Sequence, residues 1–240
     1  MTGPVAGWWR RLPVTWRRWL RRRLRRPRWG GLRRMRPVSD VFGFDRGTPV
    51  DRYYLERWLE RHREDLRGVV GEIAEDHYTR RFGGPSVEQV EIIDLHAGNP
   101  RATLVADLGI PGSLPTARFD ALLVVQTLQY VAEPDLALGN CLQALRPGGV
   151  LLVAVPALVP HDERMPAGLD RWRYWPAGLA AAVRRAAPDA AVEVTGYGNL
   201  VAATAALHGI AAEELRTREL ADADARFPVL VCARIRVAAA

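Results

Sequence analysis

ATLVADL (102–108), FDALLVVQTLQYV (119–131) and LRPGGVLLVAVP (145–156) decide the fold of this chain. The last two are apolar strands joined by a helical segment. Pro134 opens that helix, Leu138, Cys141, Leu142 and Leu145 form its apolar stripe, and Gly148-Gly149 ends it. Nearly continuous apolar strands alternating with helices are the rhythm of a parallel sheet covered on both faces.

The same reading extends outward in both directions. GVVGEIA (68–74) and VEQVEIIDL (87–95) read as strands one and two, and ATLVADL as strand three. FDALLVV is strand four, and the run after Gly148-Gly149 is strand five. AAVEVTGYG (190–198) is strand six and FPVLVCARIRV (227–237) the last. A helix starts near Asp51, whose carboxylate can cap its first turn, and carries Tyr54, Leu55, Trp58, Leu59 and His62 on one face. Further helices are expected over 170–187, with Pro176 near the start, and over the Ala-rich stretch 199–219. The fold class is α/β: a Rossmann-like, seven-stranded sheet, mostly parallel with an antiparallel last strand, with helices on both faces.

Charge divides the chain in two. All 34 basic residues are arginines. Residues 1–40 hold 13 of them against one acid, whereas residues 41–240 hold 21 against 26 acids. The basic character therefore belongs to an arm, taken as 1–38, and the domain from 39 to 240 is mildly acidic. Five of the eight tryptophans lie in the arm. Between Pro13 and Pro27, Trp16, Trp19, Leu20 and Leu24 recur at helical spacing among arginines. That pattern fits a helix lying on anionic lipid or on a partner. It also fits RNA contact through phosphates and stacking, or a solubilising tail.

Cys141 and Cys232 both lie in apolar segments, which suits a reducing, cytoplasmic setting. The five histidines are scattered without HExxH or Cys/His clusters, so no metal site is expected. No apolar run is long enough to span a bilayer, and the N-terminus lacks the apolar core of a secretory signal.

The run from 102 to 156 resembles the second half of a class I S-adenosylmethionine (SAM) methyltransferase, of the type 11-like kind. SDVFGFDRGTPVDRYY (39–54) and YTRRFGG (78–84), with a later YGN (197–199), resemble a bacterial subgroup encoded near sugar-polymer glycosyltransferases. The resemblance implies SAM as cofactor. It also implies O-methylation of a sugar, a glycan-linked molecule or another small acceptor. Peripheral attachment at the inner membrane face, or contact with a glycosyltransferase through the arm, would fit. Nucleic acid is not the expected partner. The alternative is a non-catalytic module of the same fold scaffolding an envelope-glycan glycosyltransferase complex.

The resemblance also assigns residues. Asp107 would accept from the adenine amino group with Leu108 against the ring, and Asp94 would grip the ribose hydroxyls. Glu72 would orient the loop that reaches the methionine end, a loop that begins at Ala74 and lacks the family's glycines. Gln126, ending strand four, would face the cofactor. Arg46, Arg52 and Tyr53, with Asp45 and Asp51 beside them, could close over the pocket and bind an anionic acceptor, or form a salt-bridged helix start. Tyr130 would face the acceptor too, and Trp172 and Tyr174 could cover it. His161 and Asp162, neighbours in the loop after strand five, are the candidate catalytic base.

Overall fold

The computed structural model describes residues 12–24 and 34–239. The arm helix is seen as α1 (Val14–Leu24), while the other tryptophans and arginines expected in the arm, at 1–11 and 25–33, lie outside the described residues. Then follow α2 (Val50–Arg61), β1 (Gly68–Ile73), α3 (His77–Phe82), β2 (Val87–Asp94), β3 (Leu104–Val105) and β4 (Phe119–Val125). After these come α4 (Pro134–Gln143), β5 (Leu145–Pro156), α5 (Pro176–Ala186), β6 (Ala191–Tyr197), α6 (Leu200–His208), α7 (Thr217–Ala221) and β7 (Leu230–Arg236).

The strands form one sheet in the order β3-β2-β1-β4-β5-β7-β6. β1 to β5 pair in parallel, and β7 runs antiparallel to both β5 and β6. This is the Rossmann-like methyltransferase sheet. Its winding reverses between β1 and β4, so a ligand crevice is expected at their carboxyl ends.

Strand alternation divides the core. Leu151, Val153 and Val155 of β5 pack with Leu138 and Cys141 of α4 and with Leu179 and Val183 of α5. Val150, Leu152 and Ala154 face the other way, onto Leu55, Trp58 and Leu59 of α2 and Ala202 and Ala205 of α6. Both free cysteines are buried, one in each layer.

Four expectations are corrected. Strand three shrinks to two residues, and residues 95–103 cross from β2 to β3 without a helix. Thr103 Oγ1 accepts the Ile92 N–H at 2.9 Å and the Thr103 N–H bonds Ile92 O at 2.9 Å, which lets so short a connection close. Pro147, Gly148 and Gly149 do not end α4. They bulge within β5, where five residues of register (Leu145 to Val150) oppose two on β4 (Phe119 to Ala121). Residues 170–175 are not helical, and α5 begins at Pro176, as its missing N–H favours. The Ala-rich helix stops at His208 because Gly209 adopts φ +63°, and a Cβ there would meet Ser39 O at 2.5 Å.

Among the described residues no helix is long and apolar enough to cross a membrane, and no group of His, Cys, Asp and Glu is placed to hold a metal ion.

Candidate active site

Two cavities open at the reversal point. The first, of about 250 Å³, lies over the ends of β1 and β4 between Glu72, Ala74, His77, Tyr78 and Thr127. The second, of about 80 Å³, lies between Phe42, Phe44, Asp51, Gln129, Tyr130 and Asp162. Arg52 and Gln126 line both, so they form the seam between them.

The first cavity is lined by three of the six residues expected for the cofactor, Glu72, Ala74 and Gln126, whereas Asp94, Asp107 and Leu108 are not in its wall. Ala74, where a glycine is expected, nevertheless takes the glycine conformation, with φ +66°. Its N–H donates to Ile93 O at 2.7 Å and its carbonyl accepts from Asn99 Nδ2 at 2.9 Å. The same Nδ2 donates to Asp94 at 2.7 Å, and the other Asp94 oxygen accepts the His96 N–H at 2.9 Å. These bonds from His96 and Asn99 hold the Asp94 carboxyl below its ordinary pKa. Asn99, which sequence reasoning did not single out, thus ties the ends of β1 and β2 into one cradle.

Glu72 is buried and turned inward. It accepts Tyr78 N–H at 2.9 Å, and both the N–H and the hydroxyl of Thr79 at 2.7 Å, satisfying the first turn of α3. Burial raises its pKa, against the lowering pull of the Thr79 and Tyr78 bonds. It shapes the loop rather than meeting the cavity as a free carboxylate. Asp76, buried at the same loop, is held by Arg80 and Arg101. Two residues beyond β3, Asp107 accepts the Gly109 N–H at 2.8 Å through Oδ1, while Oδ2 takes no hydrogen bond among the described residues. Leu108 is buried in the core and does not line the cleft. Its carbonyl accepts from Asn140 at 2.8 Å.

The second cavity is built differently from the sequence expectation. Asp51, in the first turn of α2, accepts from Gln126 Nε2 at 3.0 Å. Gln126 Oε1 accepts from Gln129 Nε2 at 3.2 Å. Gln129 is 3% exposed, and its Oε1 has no hydrogen-bond partner among the described residues. Burial raises the Asp51 pKa, opposed chiefly by the charge of Arg52. Asp51 was read from the sequence as a helix cap and Gln129 was not singled out; only folding brings them to one seam.

Several expected acceptor residues lie elsewhere. Arg46 is 1% exposed and forks onto Glu214 at 2.8 and 2.5 Å. Thr48 accepts the Ala212 N–H, and its own N–H and hydroxyl donate to Glu213. The DRGTP segment is therefore a clasp onto residues 211–214. Tyr53 meets Tyr54 edge-on and lies under Arg57, away from both cavities. Trp172 donates to Val131 O at 2.8 Å and lines a separate cleft between α4 and α5, while Tyr174 is buried against the core. Arg52 and Tyr130 remain at the site, with Arg52 donating to the Tyr78 hydroxyl.

His161 and Asp162 do not pair. His161 Nδ1 lies 2.9 Å from Asp170, and Asp162 accepts twice from the Arg164 guanidinium, at 2.8 and 2.9 Å, and once from its N–H at 3.1 Å. The Arg164 bonds hold the Asp162 pKa low, which makes it a poor base. Asp170 is likewise held well below the usual range, because Arg173, the Asp162 N–H and His161 outweigh its burial. This loop is an ion-pair lattice forming one wall of the second cavity.

The sheet order and the cleft define the class I SAM-dependent methyltransferase fold. Within it, residues 85–153 match the family model described as a methyltransferase domain. The ubiquinone biosynthesis O-methyltransferase of Mesorhizobium japonicum is 37% identical over 75 residues, which cover 29% of this chain and 28% of that protein. The chain thus spans little more than a quarter of that relative. A SAM-dependent methyltransferase from Mesorhizobium loti superposes with a TM-score of 0.52 at 17% identity, over 75% of this chain and 96% of that one. The (4+2)-cyclase SpnF superposes equally well, TM-score 0.52 at 18% identity, over 81% and 84%.

Proposed function

We propose that this chain transfers a methyl group from SAM to a hydroxyl of a sugar, a glycan-linked molecule or another small acceptor. The observation that carries this reading is the seam. A cofactor-side cavity and an acceptor-side cavity meet at Arg52 and Gln126, with the Asp51 carboxylate beside the junction.

The residues present fit the cofactor. Ala74 keeps the turn that a glycine would supply, Asp94 ends β2 as a ribose-side acceptor, and Asp107 Oδ2 is unused and suits an adenine amino group. SAM brings a methyl carbon made electrophilic by its positive sulfur, so the protein must mainly align the partners and exclude water. In this reading Asp51 takes the acceptor hydroxyl's proton as the oxygen bonds the methyl carbon and that carbon's bond to sulfur breaks, leaving S-adenosylhomocysteine. The unsatisfied Gln129 Oε1 suits a second hydroxyl donor, which favours a polyol over an apolar acceptor. The relative's printed role, O-methylation in ubiquinone biosynthesis, agrees with oxygen as the methylated atom. We place the protein in the cytoplasm, peripheral to the membrane.

Calorimetric titration with S-adenosylhomocysteine tests the first step. Binding is expected, with a rise in melting temperature that Asp107→Ala removes. Absence of binding at millimolar ligand would sink the reading. A second reading, a non-catalytic module of the same fold, is favoured by one observation. Glu72 is spent on α3 rather than on the cavity. SpnF illustrates that this fold is not tied to one reaction. Methyl transfer to any hydroxyl acceptor excludes that second reading.

A further inference from the structure

We infer that α1 seats the protein on an anionic lipid surface. The helix reads VTWRRWLRRRL, with five arginines and no acid. At 100° per residue Trp16, Trp19, Leu20 and Leu24 share one side, and Arg17, Arg18, Arg21 and Arg22 the other. An amphipathic helix of a globular domain ordinarily buries its apolar side. Here the orientation is reversed. Arg21 Nη1 donates to the Asp45 carboxylate at 2.9 Å, and Ser39 Oγ holds the other Asp45 oxygen at 2.5 Å. The polar side is tied to the body, while Trp16, Trp19 and Leu24 are 60%, 45% and 73% exposed.

The exposed face carries its own selection for partner. Trp16 and Trp19 lie 6.2 Å apart, and the Arg23 guanidinium sits over the Trp19 ring at 5.3 Å. Indole rings beside arginines match the level of lipid headgroups, with Leu24 reaching the acyl boundary. A nucleic acid would use the rings for stacking but has no place for the exposed Leu24. Charge complementarity selects anionic headgroups over neutral ones. The tether has a consequence for the site. Asp45 adjoins Phe44, which with Phe42 lines the acceptor-side cavity, so a lipid-seated α1 holds that mouth close to the membrane.

The experiment is co-sedimentation of the full chain with phosphatidylcholine vesicles, with and without phosphatidylglycerol. Binding is expected only with phosphatidylglycerol. Trp16→Ser with Trp19→Ser should weaken it about tenfold or more at an unchanged melting temperature, since both rings face solvent. Arg23→Gln, which removes the arginine beside the exposed Trp19 ring, should weaken it about fivefold, from roughly 1 kcal/mol per arginine near the surface. Failure to bind either vesicle overturns the inference. So does binding that the tryptophan variant retains, which would be adsorption by charge alone. RNA binding lost in the tryptophan variant, with vesicles ignored, would assign the face to nucleic acid instead. None of these readouts depends on methyl transfer.

Discussion

The Gln126 side chain donates to Asp51 at 3.0 Å, joining the end of β4 to the start of α2 across the mouth of the sheet. Gln126 makes this bond from a left-handed backbone, φ +48°, which a non-glycine residue adopts only when its surroundings hold it there. Among the described residues, three of the four non-glycine residues with positive φ, namely Phe42, Ala74 and Gln126, line the two cavities. Backbone strain is thus concentrated where the proposed chemistry occurs.

Asp51→Asn tests the proposed base. Methyl transfer should fall about 10²- to 10³-fold, with the affinity for S-adenosylhomocysteine unchanged. The wild-type rate should climb with pH through the raised Asp51 pKa, because only the ionised carboxylate accepts a proton, and the variant should lose that limb. The stability sign is opposite to that of an ordinary ion pair. A folded pKa above the unfolded one favours the protonated form, so the contribution is full below the unfolded value and lost as pH rises through the folded one. At neutral pH the variant should melt at or above the wild-type temperature. A flat wild-type profile, measured with saturating acceptor, would remove Asp51 from this role.

Ala74→Gly probes the first loop. A left-handed alanine costs about 1–2 kcal/mol, whereas glycine adds unfolded-state freedom worth about 0.4–1 kcal/mol. The net expectation is stabilisation by up to about 1.6 kcal/mol in denaturant melts, the reverse of Ala→Gly in a helix such as α6. Cofactor affinity should be retained, because the turn is already the one glycine would take.

Asn99→Ala removes one amide that bonds both Ala74 O and Asp94. Each lost bond is worth about 0.5–1.5 kcal/mol, so affinity for S-adenosylhomocysteine should drop about tenfold, read by calorimetry. Global stability should change little, since both acceptors can turn to water.

The sheet was legible because strands buried on both faces leave long apolar runs, and the seven expected strands all occur. Strand three kept its place but not its length, since the ATLVADL pattern also fits a loop whose apolar side chains pack inward, as Ala106 and Leu108 do. The acids proposed for the cofactor side were picked because they lie at or near strand ends. The acceptor side was harder. Arg46, Asp51 and Arg52 lie within seven residues, yet only Asp51 and Arg52 face the cleft, because Arg46 is drawn to Glu214, 168 residues away. Chain-distant pairing of that kind leaves no local pattern. The same holds for His161, whose partner proved to be Asp170 rather than its neighbour.

The clasp and the seam therefore predict different phenotypes for two arginines of one motif. Arg46→Met leaves the Glu214 carboxylate, 7% exposed, without its fork, and breaking a buried pair in this way destabilises by about 3–5 kcal/mol. Spread over a domain of this size, that is a melting-temperature loss of roughly 6–20 °C. Glu214 also accepts the Ala211 N–H at 3.1 Å, so the 211–214 turn should loosen with it. Adding Glu214→Leu to Arg46→Met should recover part of the loss, because two apolar groups no longer strand a charge. Arg52→Met, half-buried at the seam and bonded to Tyr78 rather than to a carboxylate, should leave the melting temperature within about 2 °C. Its defect should instead appear as a raised KM for the acceptor. Equal melting losses in the two variants would mean that Arg52, too, belongs to the clasp.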